Sequence, residues 1–216
     1  MCTALLVNGR LRGGRIEWAI TGAFGDNLDE PAQRLAEKSG LQASDIASLR
    51  ELGVCINYNG YGPSLDDLHF HPDALYESLF EAEQPQAFLN SSTFRQLQQG
   101  YQQDLAASAA LTPVVEELAF AVYQLPDAAW ARRVSGVLGN ELANRYPKCA
   151  HAIITAFPNQ VDRFQISIRS PKNNPTGAHE LARIFGGGGR KVAAGINDIN
   201  RSELDNFWDE FKARYG

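Results

Sequence analysis

The clearest chemical signal in the chain is the run Phe185-Gly186-Gly187-Gly188-Gly189-Arg190-Lys191-Val192-Ala193-Ala194-Gly195. Glycines in series reach conformations with φ > 0 and bring backbone N–H groups close to a ligand, with no side chain in the way of an anion. Arg190 and Lys191 then place two cations at the exit of the loop. The run departs from the known nucleotide loops. A Walker A motif requires Lys followed by Ser or Thr, and the dinucleotide fingerprint requires a third glycine where Lys191 stands. Four glycines also suit a flexible hairpin tip that binds nothing.

Charge favours an anion. Between Arg163 and Lys191 stand six cations (Arg163, Arg169, Lys172, Arg183, Arg190, Lys191) and one anion, Glu180, so this segment carries +5 in a chain of net charge -5, leaving -10 elsewhere. A basic patch on an acidic protein points to a specific phosphate-bearing ligand rather than to general nucleic-acid packaging. Arg169-Ser170 follows the alternating Phe164, Ile166 and Ile168, which puts the pair at the C-terminal end of a strand, where open α/β sheets bind ligands. A guanidinium holds two phosphate oxygens at once, and a neighbouring hydroxyl adds a donor. An exposed arginine at a strand end is the plainer reading.

The elements that must carry these residues form an α/β pattern: a helical connector followed by a compact C-terminal α/β lobe with a mixed sheet. Residues 2–27 comprise an apolar start, a basic glycine-containing turn and a second apolar stretch ending in Gly25-Asp26-Asn27. A piece of this size cannot bury a core alone and must pack on a later or an earlier part of the protein. From residue 29 to about 110 the signals are helical. Ser44 stands before Ile46, Leu49 and Leu52, with Gly53 as a C-terminal stop. Thr93 and Gln96 have the form of a capping box before Phe94, Leu97, Tyr101 and Leu105. A turn-rich loop spans residues 57–63, and Pro85 breaks a helix.

After Pro113 strands alternate with helices. Strands are expected at 118–125, 152–157, 164–168 and 192–196, and helices at 133–146 and around Ala178, Leu181, Ala182 and Phe185. A final helix starts from a capping box at Ser202 and Asp205 and buries Leu204, Phe207, Trp208 and Phe211. The divisions expected are 1–28, 29–112 and 113–216.

Composition is that of a globular protein: 216 residues, 44% hydrophobic, 21% charged and 10% aromatic. No apolar run approaches the roughly 18 residues that span a bilayer, and no signal pattern opens the chain, so no membrane partner is expected and the cytoplasm is the default location. Cys2, Cys55 and Cys149 lie far apart, without a Cys-x-x-Cys pair, which indicates neither a disulfide framework nor a zinc knuckle. Asp66, Asp67, His69 and His71 make a conceivable metal set, but His71 precedes Pro72 and the group also fits the solvated start of a helix. His151 and His179 have no partner in sequence and read as surface or helix-packing residues. No Gly-x-Ser-x-Gly elbow appears.

Ile166-Ser167-Ile168-Arg169-Ser170, a helix, the run Phe185 to Gly189, and Ala193-Ala194-Gly195 together resemble the C-terminal DHH-associated domain of the DHH phosphoesterases. That family includes RecJ-type single-strand exonucleases, oligoribonucleases, cyclic-dinucleotide phosphodiesterases and exopolyphosphatase-like proteins. The resemblance covers residues 119–216 well and the connector more weakly. It implies that Arg169, Ser170, Gly186, Gly187, Gly188 and Gly189 bind substrate phosphate or a terminal nucleotide, with Arg190 and Lys191 beside them. The family commonly carries His after the glycines where this chain has Arg190, which keeps a permanent charge and does not titrate near neutrality.

The resemblance also implies an N-terminal catalytic domain with Asp-x-Asp and Asp-His-His motifs holding two Mn²⁺ or Mg²⁺ ions. This chain has no Asp-His-His string. Its first residues are similar to the end of such a domain, with Asp26 as a late metal ligand. One carboxylate cannot hold a two-metal centre, so the chain is expected to be a fragment or start-site truncation that takes no metal alone, and to bind a single-stranded nucleic acid, oligonucleotide or related phosphate ester without cutting it. The catalytic domain would be its missing partner. Two alternatives stand beside this reading: a complete non-catalytic nucleotide or nucleic-acid module, in which Tyr58 and Tyr61 stack on bases, and a protein-interaction module.

Overall fold

The computed structural model describes residues 2–216. The chain divides into two compact units, Met1–Gln103 and Asp104–Gly216.

The first unit is helical: α1 (Thr3–Arg10), α2 (Ile16–Gly25), α3 (Asp29–Lys38), α4 (Ala43–Tyr58), α5 (Pro72–Phe80), α6 (Pro85–Leu89) and the larger part of α7 (Ser92–Ala109), inside which the division falls. The apolar start packs on the helices after it. Cys2, Ile20, Ala23 and Phe24 form one cluster with Ala32, Ala36, Ile46 and Leu49 from α3 and α4. A second cluster joins Leu52, Cys55, Leu75, Phe88, Phe94 and Leu97.

Three local expectations need correction. Gly53 does not stop a helix, since α4 continues to Tyr58. Its role is close approach: a Cβ on Gly53 would stand 2.1 Å from the Thr21 carbonyl oxygen and 2.9 Å from the Gly25 nitrogen. The backbones of α2 and α4 touch there, and packing outweighs the roughly 1 kcal/mol that glycine costs inside a helix. The cap before Phe94 is Ser91 rather than Thr93, with the Phe94 N–H donating to Ser91 Oγ at 3.0 Å. Pro85 opens α6 instead of ending a helix, because the first turn needs no N–H from it.

The second unit carries a six-stranded sheet in the order β1 (Val115–Glu116), β2 (Phe120–Gln124), β3 (Ala150–Phe157), β4 (Gln160–Arg169), β6 (Ala193–Asn200), β5 (Gly188–Arg190). The pair β2–β3 is parallel, joined by α8 (Ala129–Arg145), and every other pair is antiparallel. Alternation divides the sheet into two faces. Phe120, Val122, Ile154, Phe164, Ile166 and Ile168 meet α9 (Ala178–Ile184) and α10 (Leu204–Tyr215) on one side. Ala121, Tyr123 and Ile153 meet α8 on the other. Asp104 and Arg133 make a buried fork, with Nε to Oδ2 at 2.7 Å and Nη2 to Oδ1 at 2.9 Å. The last capping box is built by Asn200 and Glu203, two residues before the expected pair, and turns the chain into α10. Among the described residues no helix is long and apolar enough to cross a membrane.

Gly53→Ala is expected to remove about 3 kcal/mol or more of stability, read from urea melts, because neither backbone at the crossing can yield cheaply. An unchanged midpoint would mean that α2 and α4 do not meet this closely.

Candidate phosphate-binding site

Register assembles the site. Arg169, the last residue of β4, pairs with Ala193 of β6, and Ala193 pairs with Arg190 of β5. Residues paired across strands share a face, so the two arginines stand in one row with a methyl group between them, roughly 9–10 Å apart at Cα. Burial, and then the positive charge of Arg190, push the Arg169 guanidinium below its ordinary pKa. Arginine stays charged at neutral pH all the same. Among the described residues Arg169 donates to neutral oxygens: Asn140 Oδ1 at 3.0 Å, the Ile168 carbonyl at 3.1 Å and the Gly136 carbonyl at 3.3 Å. Gly139 makes room for it, since a Cβ there would stand 3.2 Å from Arg169 Cζ. Sequence reasoning missed these α8 residues. The available signal was two glycines and an asparagine, Gly136, Gly139 and Asn140, inside an otherwise ordinary helical stretch.

Ser170 sits elsewhere than beside the Arg169 fork. It is buried, and its Oγ lies 2.7 Å from the Thr176 carbonyl, 3.1 Å from the Lys191 carbonyl and 3.1 Å from Tyr215 Oη. The hydroxyl ties the end of β4 to the β5–β6 turn and to α10. Burial raises the Tyr215 phenol above its usual pKa. Lys191 is anchored by its backbone, whose carbonyl also accepts the Ala178 N–H at 3.1 Å, while its side chain is exposed.

The glycine run is more ordered than a loose loop. Gly188–Arg190 is strand β5. A Cβ on Gly187 would stand 2.3 Å from the Gly195 carbonyl oxygen, and one on Gly189 2.5 Å from Ala194 Cα, so both are required by the chain's own backbone. At Gly188 nothing lies within 4 Å of an added Cβ, and the position is open to a ligand.

The remaining candidates lie apart from this row. Asp26, exposed at the end of α2 in the first unit, borders a cavity of about 410 Å³ whose other walls include Trp18, Ile56, Asn57, Tyr76, Leu79 and Phe80. That lining supplies no second carboxylate or imidazole, and among the described residues no three metal-ligating side chains gather anywhere. The two-metal centre implied by the family resemblance therefore does not fit the residues present. His71 hydrogen-bonds Asp73 at the start of α5, which is the helix-start reading. Tyr58 is 2% exposed and packs edge-on against Tyr61 and Tyr101, so stacking on a base is not open to it.

His151 pairs with Arg169 across β3 and β4. It is an interior strand residue rather than a surface one, 0% exposed, with a ring contact to Tyr146 and no hydrogen-bond partner on either nitrogen among the described residues. Burial lowers its pKa to about 4.

The fold is that of the DHH-domain proteins. The DHH domain of a protein described as a member of the s1p family of ribosomal proteins matches 93% of this chain at 14% identity and a TM-score of 0.58, over 49% of its own length. RecJ from Thermus thermophilus, solved in complex with Mg²⁺, matches 86% of the chain at 16% identity and a TM-score of 0.53, over 28% of its length. A pGpG-specific phosphodiesterase, PggH from Vibrio cholerae, matches 66% at 15% identity and a TM-score of 0.46, over 48% of its length. The chain thus spans about half or less of these structures. No family model and no curated protein matches it.

A neutral buried histidine makes stability depend on pH. The unfolded chain binds a proton at His151 near its ordinary value of 6.5, and the folded chain does so only near 4. Stability from this residue is complete above the higher value and declines as pH falls towards the lower one. Urea melts at pH 7 and pH 5 are expected to show that decline in the wild type and a smaller one in His151→Phe. Equal declines would exclude His151 as its source.

Proposed function

We propose that this chain is the connector and substrate-holding portion of a DHH-family phosphoesterase, gripping the phosphate of a single-stranded nucleic acid, a short oligonucleotide or a related phosphate ester. Residues 113–216 form the holding lobe, residues 29–112 the connector, and residues 1–28 the end of the catalytic domain. The observation that carries the reading is the row Arg169, Ala193, Arg190: two cations on one sheet face, the first of them answered by neutral oxygens. Like charges in one row oppose folding, and an anion between them reverses the sign of the interaction. The open backbone at Gly188 extends the same surface.

The lobe's contribution is position. Arg169 and Arg190 bind and orient a phosphate, and Lys191 adds positive potential at the turn. In a full-length enzyme of this family Mn²⁺ or Mg²⁺ would supply the hydrolytic chemistry. Among the described residues no such centre is gathered, and the role proposed for this chain is to hold.

Arg169→Ala and Arg190→Ala are each expected to weaken binding of a short 5′-phosphorylated single strand by about 1–3 kcal/mol, measured by anisotropy at two salt concentrations. Equal affinity of both variants and the wild type would remove the site. The purified chain is also expected to show negligible Mn²⁺-dependent hydrolysis of the same strand. Turnover abolished by Asp26→Ala would overturn the assignment of a holding role.

A further inference from the structure

Three helices of the first unit end at one place. The cavity of about 410 Å³ is bordered by Gly25 and Asp26 at the end of α2, Ile56 and Asn57 at the end of α4, and Leu79 and Phe80 at the end of α5. The ends of α2 and α4 lie against each other: a Cβ on Gly25 would stand 3.5 Å from Asn57 Cβ. A helix carries the negative pole of its dipole at its C-terminus, where a cation is stabilised and an anion is not. Asp26 adds a full negative charge at this place, and among the described residues it enters no ion pair. No Lys, Arg or His stands among the described residues that border the cavity.

The walls are aromatic. Tyr76 and Phe80 stand one turn apart on α5, their rings stacked with centroids 5.9 Å apart, and they are 63% and 77% exposed. Trp18 borders the same space, its indole held by a hydrogen bond from Nε1 to the Glu83 carbonyl at 3.2 Å. Aromatic faces attract cations through their quadrupole. Asn57 donates from Nδ2 to Tyr61 Oη at 2.9 Å, which keeps its own Oδ1 as an acceptor. Mostly apolar walls with a few polar groups, at this volume, are the features of a small-molecule site. A bare divalent ion suits the space poorly, because it takes about six oxygen ligands and finds one carboxylate among aromatic rings. A phosphate would meet negative charge with no cation to offset it.

We infer that this cavity binds a small organic cation, an amine or quaternary ammonium group carried on an apolar or aromatic body, with Asp26 answering the charge and Trp18, Tyr76 and Phe80 enclosing the body. The inference goes beyond the function proposed above. It shares no residue with the row Arg169, Ala193, Arg190, and the charge it selects is of the opposite sign.

Calorimetric titration of the full chain tests it with probes of similar shape and different charge: 2-phenylethylamine, a cation at neutral pH, 2-phenylethanol, which is uncharged, and 3-phenylpropionate, an anion. The amine is expected to bind at least about ten-fold more tightly than the alcohol, a difference of about 1.4 kcal/mol, and the carboxylate more weakly than either. Asp26→Asn is expected to bring the amine down to the level of the alcohol. Phe80→Ala is expected to weaken the amine several-fold. Both side chains are exposed, so the two variants are expected to melt with the wild type. Arg169→Ala is expected to bind the amine as the wild type does, which separates this site from the phosphate site.

Equal affinity for amine and alcohol, no binding of the amine at millimolar concentration, or a preference that survives Asp26→Asn overturns the inference. Displacement of the amine by an equal concentration of Mn²⁺ overturns it as well, since Asp26 would then serve a metal. If a variant does not fold, the order of the three probes on the wild type decides the matter alone.

Discussion

Two guanidinium groups stand in one row of a sheet face, one strand apart, and the arrangement of the second unit keeps them there. Their separation is set by β6, which contributes the small Ala193 between them. Their side of the sheet is set by the core. Phe164, Ile166 and Ile168 must face α9 and α10, which forces Arg169 to the opposite face. A register slip of one residue would turn the arginine into the apolar core under α9 and α10 and the isoleucine towards α8, so the apolar alternation that stabilises the lobe also defends its charge. The gap over Gly139 completes the constraint by admitting the guanidinium beneath α8.

How far this was legible in the sequence depends on the range of the interaction. The alternating Phe164, Ile166 and Ile168 announced β4 and placed Arg169 at its end, because both follow from neighbours in the chain. The observed strand begins earlier, at Gln160, where Asp162 and Arg163 interrupt the apolar alternation. The glycine run marked a site without revealing its form: Gly187 and Gly189 answer backbone clashes with β6 that only the folded pairing creates. Asn140 stood out only beside Gly136 and Gly139 in a helical stretch, and nothing local shows that it receives an arginine from 29 residues away. Gly53 misled for the same reason, its partner being Thr21 on another helix.

The first unit is organised by backbone proximity rather than charge. Gly25 and Gly53 let α2 and α4 meet without side chains between them, which brings the buried face of α2 onto Ile46 and Leu49. Asp26 leaves the end of that helix into an apolar-walled cavity, and its carboxylate is the chemically distinctive group of the region. In the second unit the buried fork of Asp104 and Arg133 joins the end of α7 to α8, the helix that in turn anchors Arg169. Removing one member of such a pair leaves a buried charge unanswered, so the scaffold of the site carries an ionic dependence of its own.

Both margins of the sheet are its shortest strands, β1 with two residues and β5 with three. A strand arriving from another molecule would find few open backbone groups on the β5 side and would have to approach Arg190 and Lys191, both exposed. Short edges bearing cations are a recognised defence against sheet-to-sheet aggregation. The charges proposed to hold an anion would then also be gatekeepers of solubility, and a chain crowded with polyanions would have that guard partly lifted wherever its edge is neutralised.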